Sequence, residues 1–160
     1  DGQIFLESEL FFAGIRPAVN VGLSVSRVGG AAQTKAIKKV AGSLRIDLAQ
    51  FREMEVFTQF SSELDQSTKN LLDKGNCLVE LLKQPLSKPL ALHEQVILLC
   101  IANEGIMQSI PLKEIKVYRR EVMAYISANY PDIITEISTK KVLTDELAEQ
   151  IINAAKEFKK

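Results

Sequence analysis

One arginine stands where the sequence changes from an extended to a helical pattern. Arg27 follows residues 19–25, in which apolar and small or polar side chains alternate, and it precedes Val28, Gly29, Gly30 and a helical stretch. In open α/β sheets, ligands collect where a strand ends and the chain turns into a helix. A guanidinium there, beside glycines that admit a close neighbour, suits a phosphate oxyanion. The same pattern fits an arginine that is solvated or pairs with a carboxylate, so both interpretations stay open.

Residue patterns that would support a self-contained enzyme do not occur. The spacings Gly-x-x-x-x-Gly-Lys-Ser/Thr and Gly-x-Ser-x-Gly are missing, which disfavours an independent nucleotide or serine hydrolase. The single histidine, His93, begins an apolar helical stretch, where a helix-end or interface role is expected. Cys77 and Cys100 lie in apolar helical patterns, which predicts reduced core residues. None of these residues has metal-ligand spacing, and we expect no metal site.

Composition and charge exclude further classes. The 160 residues hold 20 Lys plus Arg and 20 Asp plus Glu, and the net charge is zero, which disfavours a nucleic-acid binder. The longest apolar run, residues 96–102, is too short to span a bilayer. No signal peptide is visible at the N-terminus. We interpret the basic residues Lys35, Lys38 and Lys39 as solvated or at a subunit contact, because they lie on the polar face of a predicted helix.

Residues 1–30 carry the pattern of an incomplete sheet. They contain five of the eight glycines, at positions 2, 14, 22, 29 and 30. Ile4 to Leu6 predict a short buried strand, and the alternation from Val19 to Val25 predicts a half-buried one. Between them, residues 8–13 predict one short helix that ends at Gly14. Two strands without neighbours are marginal in water, so we expect the chain to be the C-terminal part of a longer protein.

From residue 31 onward the sequence is helical. A long first helix is predicted from about 31 to 60, with Asp65 and Thr144 as later N-caps and Pro111 and Pro131 near helix starts. Residues 92–102 are apolar almost all round, which predicts a central helix. The predicted fold class is therefore mainly α, a helical bundle preceded by the last strand and loop segments of a truncated α/β domain. The apolar seams are Ile37, Ala41, Leu44, Leu48 and Phe51; Leu71, Gly75, Leu78 and Leu82; Ile115, Tyr118, Val122, Tyr125 and Ile126; and Leu147, Ile151, Ala155 and Phe158.

Several segments together carry a family resemblance. They read DGQIFLE at 1–7, AGIRPA at 13–18, GLSVSRVGGAAQTK at 22–35, VAGSLR at 40–45, LAQFRE at 48–53, FSSELD at 60–65 and LLKQP at 81–85. With these motifs the sequence resembles the alpha subunits of rotary F-type ATP synthases. The resemblance implies that residues 1–30 are the end of the nucleotide-binding α/β domain and that residues 31–160 are the helical C-terminal domain. It also implies that the phosphate loop lies outside this sequence.

The resemblance implies a regulatory and structural role in the catalytic head. In this family, alpha subunits alternate with beta subunits around the gamma shaft, and the complex couples ATP synthesis to proton transport. Arg27 matches the arginine finger that completes the catalytic site on the neighbouring beta subunit. Such an arginine contributes about 10³–10⁵ to the rate of phosphoryl transfer. Val25 lines the same nucleotide-facing interface, and Ser26 is a weaker candidate there.

The resemblance also implies part of a non-catalytic nucleotide site. Arg16 and Pro17 match the pair that lies along adenine, and Gln84 matches the glutamine that bonds its edge. Leu86 stands where the family often has a second glutamine, so base selectivity is open to question. ATP or ADP with Mg²⁺ is expected in the full-length assembled subunit. The fragment alone is expected to bind no nucleotide tightly and to catalyse nothing.

Two further expectations concern partners and location. Glu63 and Asp65 match the segment that faces gamma, although Asp65 alone fits an ordinary helix cap equally well. The resemblance places the protein peripherally on the cytoplasmic face of the bacterial inner membrane, or on the equivalent organelle side, through the assembled complex only. The alternative hypothesis is an unrelated helical interaction domain in which Arg27 is structural. A β-barrel-like segment and a phosphate loop encoded upstream would separate the two hypotheses.

Overall fold

The computed structural model of the chain describes residues 2–58 and 64–159. The secondary structure confirms the predicted fold class: the chain is mainly helical, with a short extended region at its start. Two 3-10 helices, Ile106–Ser109 and Leu112–Glu114, connect the middle helices. The remaining elements are β1 (Gly2–Gln3), α1 (Ser8–Phe12), β2 (Val25–Ser26), α2 (Arg27–Ala32), α3 (Lys35–Ala41), α4 (Leu44–Thr58), α5 (Gln66–Leu82), α6 (Leu92–Asn103), α7 (Ile115–Asn129), α8 (Pro131–Lys140) and α9 (Asp145–Phe158).

Helix α6 is the centre of the bundle, as its sequence predicts. Every residue from Val96 to Ala102 is buried. The helix packs against α3, α5, α8 and α9. A helix that is apolar all round is stable in water only when other elements cover it on every side. The bundle core therefore forms around α6.

The ends of the later helices follow local signals. The Asp65 carboxylate accepts a hydrogen bond from the Thr68 N–H at 2.9 Å and begins α5. The Thr144 hydroxyl accepts one from the Leu147 N–H at 3.2 Å and begins α9. Both bonds satisfy backbone donors that the first turn of a helix leaves unpaired. Pro131 occupies the first position of α8, where its missing N–H costs no hydrogen bond.

The prediction of one long helix from 31 to 60 is wrong. The chain forms α3 and α4 there, and residues 31 and 32 belong to the end of α2. The Thr34 hydroxyl caps α3 by accepting the Ile37 N–H at 3.3 Å. Gly42 and Ser43 form a turn before α4, since glycine is a poor helix former. Residues 59 and 60, the end of the predicted helix, lie outside the described residues.

The two segments predicted as strands pair less regularly than expected: Leu6 and Val19 form an isolated antiparallel bridge, and β2 keeps only Val25 of residues 19–25. β1 and β2 pair antiparallel, with Gly2 opposite Ser26 and Gln3 opposite Val25. Residues 4–6 are exposed, because no second layer covers this ribbon among the described residues. The alternation that predicted a strand from 19 to 25 instead contains a turn, in which the Ser24 N–H donates to the Asn20 carbonyl at 3.0 Å. The domain division at residue 30 stays a prediction.

Candidate functional site

A groove of about 960 Å³ lies between the start of the chain and the loop that follows α5. Residues 6–8, 11 and 16–18 line one side, and residues 84–89 line the other. The two sides are joined by a hydrogen bond from the Gln84 backbone N–H to the Arg16 carbonyl at 2.8 Å. The groove therefore brings together Arg16, Pro17, Gln84 and Leu86, which lie far apart in the sequence.

The groove offers flat surfaces with a polar edge. The Arg16 guanidinium stacks over the Phe11 ring, 4.0 Å from its centroid. This cation–π contact orients the guanidinium plane. The Arg16–Pro17 peptide is cis, and the Pro17 ring lines the same wall. Gln84 adds an amide that can both donate and accept hydrogen bonds. This set of groups suits a planar heteroaromatic ring that carries donors and acceptors on its edge.

Leu86 lies on the other side of the groove from Arg16 and Pro17, and it is 95% exposed. Its side chain lines the groove but has no hydrogen-bonding group. It precedes Ser87, whose φ of 61° makes the loop turn sharply. Among the lining residues 84–89, Gln84 is the one with a side-chain amide, since the others are apolar or carry a hydroxyl or an ammonium group. A bound base would therefore meet a single side-chain amide from this loop.

Arg27 and Val25 lie outside this groove. Arg27 is the first residue of α2, directly after β2, and its side chain is exposed. The Ser26 hydroxyl caps α2 by accepting the Gly29 N–H at 2.9 Å. Val25 pairs with Gln3 in the ribbon and is 45% exposed. The predicted site residues therefore form two groups, one in the groove and one at the start of α2.

Asp65 has the capping role that one of its two interpretations predicted. Hydrogen bonds from the side chain and backbone of Thr68, and then from Ser67, hold the pKa of Asp65 below its ordinary value of 3.8. These bonds stabilise the charged form of the carboxyl group. Contact with a shaft stays a prediction, and Glu63, the other residue named for it, lies outside the described residues.

Other chemically active side chains have structural surroundings. The Lys39 ammonium donates to the Asp145 carboxylate at 2.6 Å and to the Leu143 carbonyl at 3.0 Å. Lys39 thus joins α3 to the start of α9 through a surface ion pair in which its side chain stays 42% exposed, and a subunit contact at Lys35, Lys38 and Lys39 stays a prediction. Burial raises the pKa of both Cys77 and Cys100 to about 11, and the two thiols are free. Within residues 2–58 and 64–159, no group of three or more His, Cys, Asp or Glu side chains could hold a metal ion.

Asn20, which the sequence did not predict as part of a site, is a buried polar residue that is 8% exposed. Its amide nitrogen donates to the Glu7 carboxylate at 2.7 Å, and its amide oxygen accepts from Arg52 of α4 at 2.6 Å. The available signal was an asparagine between two valines in an apolar alternation. That signal does not name its partners, because they come from distant segments.

The helices in the described part of the chain are short or polar compared with a membrane span. None of those in residues 2–58 and 64–159 combines the length and apolar character that crossing a bilayer requires.

A family model and several curated relatives all point to one protein family. The family model described as "ATP synthase alpha/beta chain, C terminal domain" matches residues 33–158. The chain is 52% identical over 158 residues to the protein named ATP synthase subunit alpha of Petrotoga mobilis, covering 99% of this chain and 31% of that relative. It is 52% identical to the protein of the same name from Lawsonia intracellularis and 50% identical to that of Mycolicibacterium smegmatis, each over 160 residues. These spans cover 32% and 29% of the two relatives. The chain therefore spans about a third of the length of these curated relatives.

Proposed function

Because this protein belongs to the family of C-terminal domains of ATP synthase alpha and beta subunits, we propose that it is part of the alpha subunit of a rotary ATP synthase. Its relatives at 50 to 52% identity carry the name ATP synthase subunit alpha. Membership of this family leaves no support for an unrelated helical interaction domain. In this proposal the chain helps to hold one adenine nucleotide and supplies one arginine to a neighbouring catalytic site.

The convergence of Arg16, Pro17 and Gln84 in one groove carries the nucleotide part of the proposal. Adenine is planar, so one face can stack on the guanidinium and ring that line the wall. Its edge carries both donors and acceptors, which the Gln84 amide can match. ATP or ADP would enter with Mg²⁺ in the full-length assembled subunit, and we assign no metal ligand to this chain. The nucleotide's phosphates would be held by parts of the subunit outside this sequence.

Equilibrium binding of labelled ATP to the full-length subunit tests the nucleotide site. Gln84→Ala removes a side-chain hydrogen bond worth about 0.5–1.5 kcal/mol, so we expect binding to weaken roughly 2- to 12-fold. Leu86→Gln adds an amide on the same loop and should strengthen the preference for ATP over GTP. Gln150→Ala, at an exposed position on α9, is the matched control. Equal ATP affinity in the Gln84 and Gln150 variants would contradict the assignment.

The position of Arg27 supports its assignment as an arginine finger. It is exposed at the first turn of α2, immediately after the β2 strand end. In phosphoryl transfer, negative charge spreads over the equatorial oxygens, and a planar guanidinium can bond two of them at once. Because the arginine would act on a neighbouring beta subunit, its contribution would depend on closure of that interface. Val25 would line the same interface.

Arg27→Lys in the assembled complex tests the finger. Lysine keeps the charge and loses the planar fork, so we expect multi-site ATP turnover to fall by about 10³-fold while nucleotide affinity stays within about 3-fold. Arg120→Lys, on the exposed face of α7, is the matched control. Unchanged turnover in the Arg27 variant would assign this residue to structure alone.

The remaining parts of the proposal follow from the same family. The partners are beta subunits, in an alternating ring, and the gamma shaft, with Glu63 and Asp65 on the side towards the shaft. ATP synthesis would be coupled to proton transport by the whole complex. The subunit would be peripheral to the membrane, on the cytoplasmic face in a bacterium or on the equivalent side in an organelle.

A further inference from the structure

Asn20 is the centre of a hydrogen-bond network that joins three parts of the molecule. Its backbone N–H donates to the Phe5 carbonyl at 2.9 Å, and its amide nitrogen donates to Glu7 at 2.7 Å. Its amide oxygen accepts from Arg52 at 2.6 Å. A buried amide with its polar groups bonded is held in one orientation, because any rotation leaves a donor or an acceptor unpaired. Asn20 therefore fixes the first segment of the chain against α4.

The same residue organises the turn that leads to Arg27. The Asn20 carbonyl accepts hydrogen bonds from the Ser24 N–H at 3.0 Å and from the Ser24 hydroxyl at 2.5 Å. The Asn20 amide oxygen accepts a further bond from the Leu23 N–H at 3.1 Å. These bonds close the turn 20–24, which ends where β2 begins and is three residues ahead of Arg27. The path of the chain into Arg27 is thus set by this turn.

Helix α4 holds the turn with two arginines. Arg52 bonds the Asn20 amide oxygen, and Arg45 donates to the Gly22 carbonyl at 2.9 Å. The two arginines are seven residues apart, close to two helical turns, so they lie on one face of α4. Both bonds have a charged donor, which makes them stronger than bonds between neutral groups. A shift of α4 would therefore carry the turn 20–24 with it.

We propose that Asn20 is a positioning residue that sets the location of Arg27 relative to α4. The inference rests on the proposed function of Arg27 as an arginine finger. Asn20 does not touch the reacting phosphates in this scheme; it acts through the turn 20–24 and β2. Misplacing a catalytic group by about 1 Å can lower a rate by about 10², so loosening this turn should reduce turnover. The helical domain would in this way influence the chemistry at the neighbouring subunit.

A double-mutant cycle in the assembled complex tests this proposal. The variants are Asn20→Ala, Arg27→Ala and the two combined, with Asn153→Ala on the exposed face of α9 as the matched control. Rates are measured with radiolabelled ATP at enzyme excess, so that slow variants stay above background. We expect Asn20→Ala to lower turnover about tenfold or more in the wild-type background and less than about twofold in the R27A background, because it acts through Arg27. The control should match the wild type in both backgrounds.

Other results would overturn the proposal in distinguishable ways. Wild-type turnover in N20A, or an equal fold-loss in both backgrounds, would contradict positioning through Arg27 while leaving the arginine finger in place. Full turnover in R27A would contradict the proposed function itself, and this inference with it. If N20A does not assemble, Arg45→Ala replaces it, since Arg45 bonds an exposed carbonyl of the same turn. The loss caused by R45A should likewise disappear in the R27A background, and an equal loss there would overturn the proposal.

Discussion

The packing of α4 on α5 requires a glycine at position 75. A Cβ placed on Gly75 would lie 2.1 Å from Cδ2, 2.2 Å from Cγ and 2.5 Å from Cβ of Phe51. Real Cβ atoms essentially never come closer than 3.0 Å to a non-bonded heavy atom of a residue elsewhere in the chain. The Phe51 Cβ is fixed to the backbone and cannot rotate away, so Gly75→Ala must push the two helices apart by about 1 Å in a close-packed core. We predict that this substitution destabilises the chain.

The size of the effect follows from two opposing contributions. Overpacking a core costs about 1–3 kcal/mol, and contact with the fixed Cβ as well as the ring places this site near the upper end. Alanine is a better helix former than glycine by about 1 kcal/mol, which offsets part of the cost. We expect a net loss of about 2 kcal/mol in the free energy of unfolding. For a chain of this length, the melting temperature should fall by about 4–8 °C.

Urea and thermal unfolding of the 160-residue chain, followed by circular dichroism, measure this loss. Gly30→Ala is the matched control, because a Cβ at Gly30 of α2 meets nothing within 4 Å. The control should leave stability unchanged or raise it by up to about 1 kcal/mol. In a Phe51→Ala background, which alone costs about 3–5 kcal/mol, the two ring contacts are gone and only the 2.5 Å approach to the remaining Cβ stays, so Gly75→Ala should cost clearly less than in the wild type. An equal loss of stability in both backgrounds, or none in the wild type, would refute the steric argument.

Two further predictions concern ionisable groups. Burial raises the pKa of both cysteine thiols to about 11. They should therefore react slowly with a maleimide in the folded chain at about pH 8 and rapidly in guanidinium. Equal rates in the two conditions would show that the core admits the reagent. Hydrogen bonding and charge from Lys39 lower the pKa of Asp145 below 3.8, so this pair should stabilise the fold above pH 3.8 and lose its effect as the pH falls through the lowered value. Asp145→Asn should flatten that part of the urea-midpoint profile, and an unchanged slope below pH 3.8 would show that the pair contributes nothing.

Local signals were sufficient to predict the later helices. Asp65 and Thr144 are capping residues by type, and Pro131 suits a first helical turn. The continuous apolar run in α6 predicted its central position. Each of these signals lies within a few residues of the element that it defines, and the structure confirms them.

The break between α3 and α4 escaped prediction because the apolar spacing continues across it. Ile37 of α3 and Leu48 of α4 both face the core, so the period alone describes one helix. Thr34, a residue typical of N-caps, and Gly42, a poor helix former, both indicated helix ends within this stretch. The regular apolar spacing outweighed them in the prediction of a single helix. Residues 4–6 pair with the chain near Val19, but their predicted burial is wrong because apolar character was taken as burial, whereas coverage depends on neighbouring layers.

The candidate site depended on contacts between distant segments. Arg16 and Gln84 meet through a backbone hydrogen bond, and no local pattern in either segment predicts that meeting. Their pairing was expected only from the family resemblance. The network of Asn20 had no such guide, because Glu7 and Arg52 are ordinary charged residues in their own segments.

The burial of α6 determines the order in which backbone amide hydrogens of the chain become able to exchange with solvent. An amide hydrogen of α6 can exchange with solvent only after the surrounding helices have separated, because no side of this helix faces water between Val96 and Ala102. Helices α1 and α2 contain no buried residue, so their hydrogen bonds can break without disturbing the bundle. The protein therefore combines a cooperative unit that opens as a whole with two short helices that can open locally, while the hydrogen bonds of Asn20 and Gly22 hold the turn 20–24 against α4.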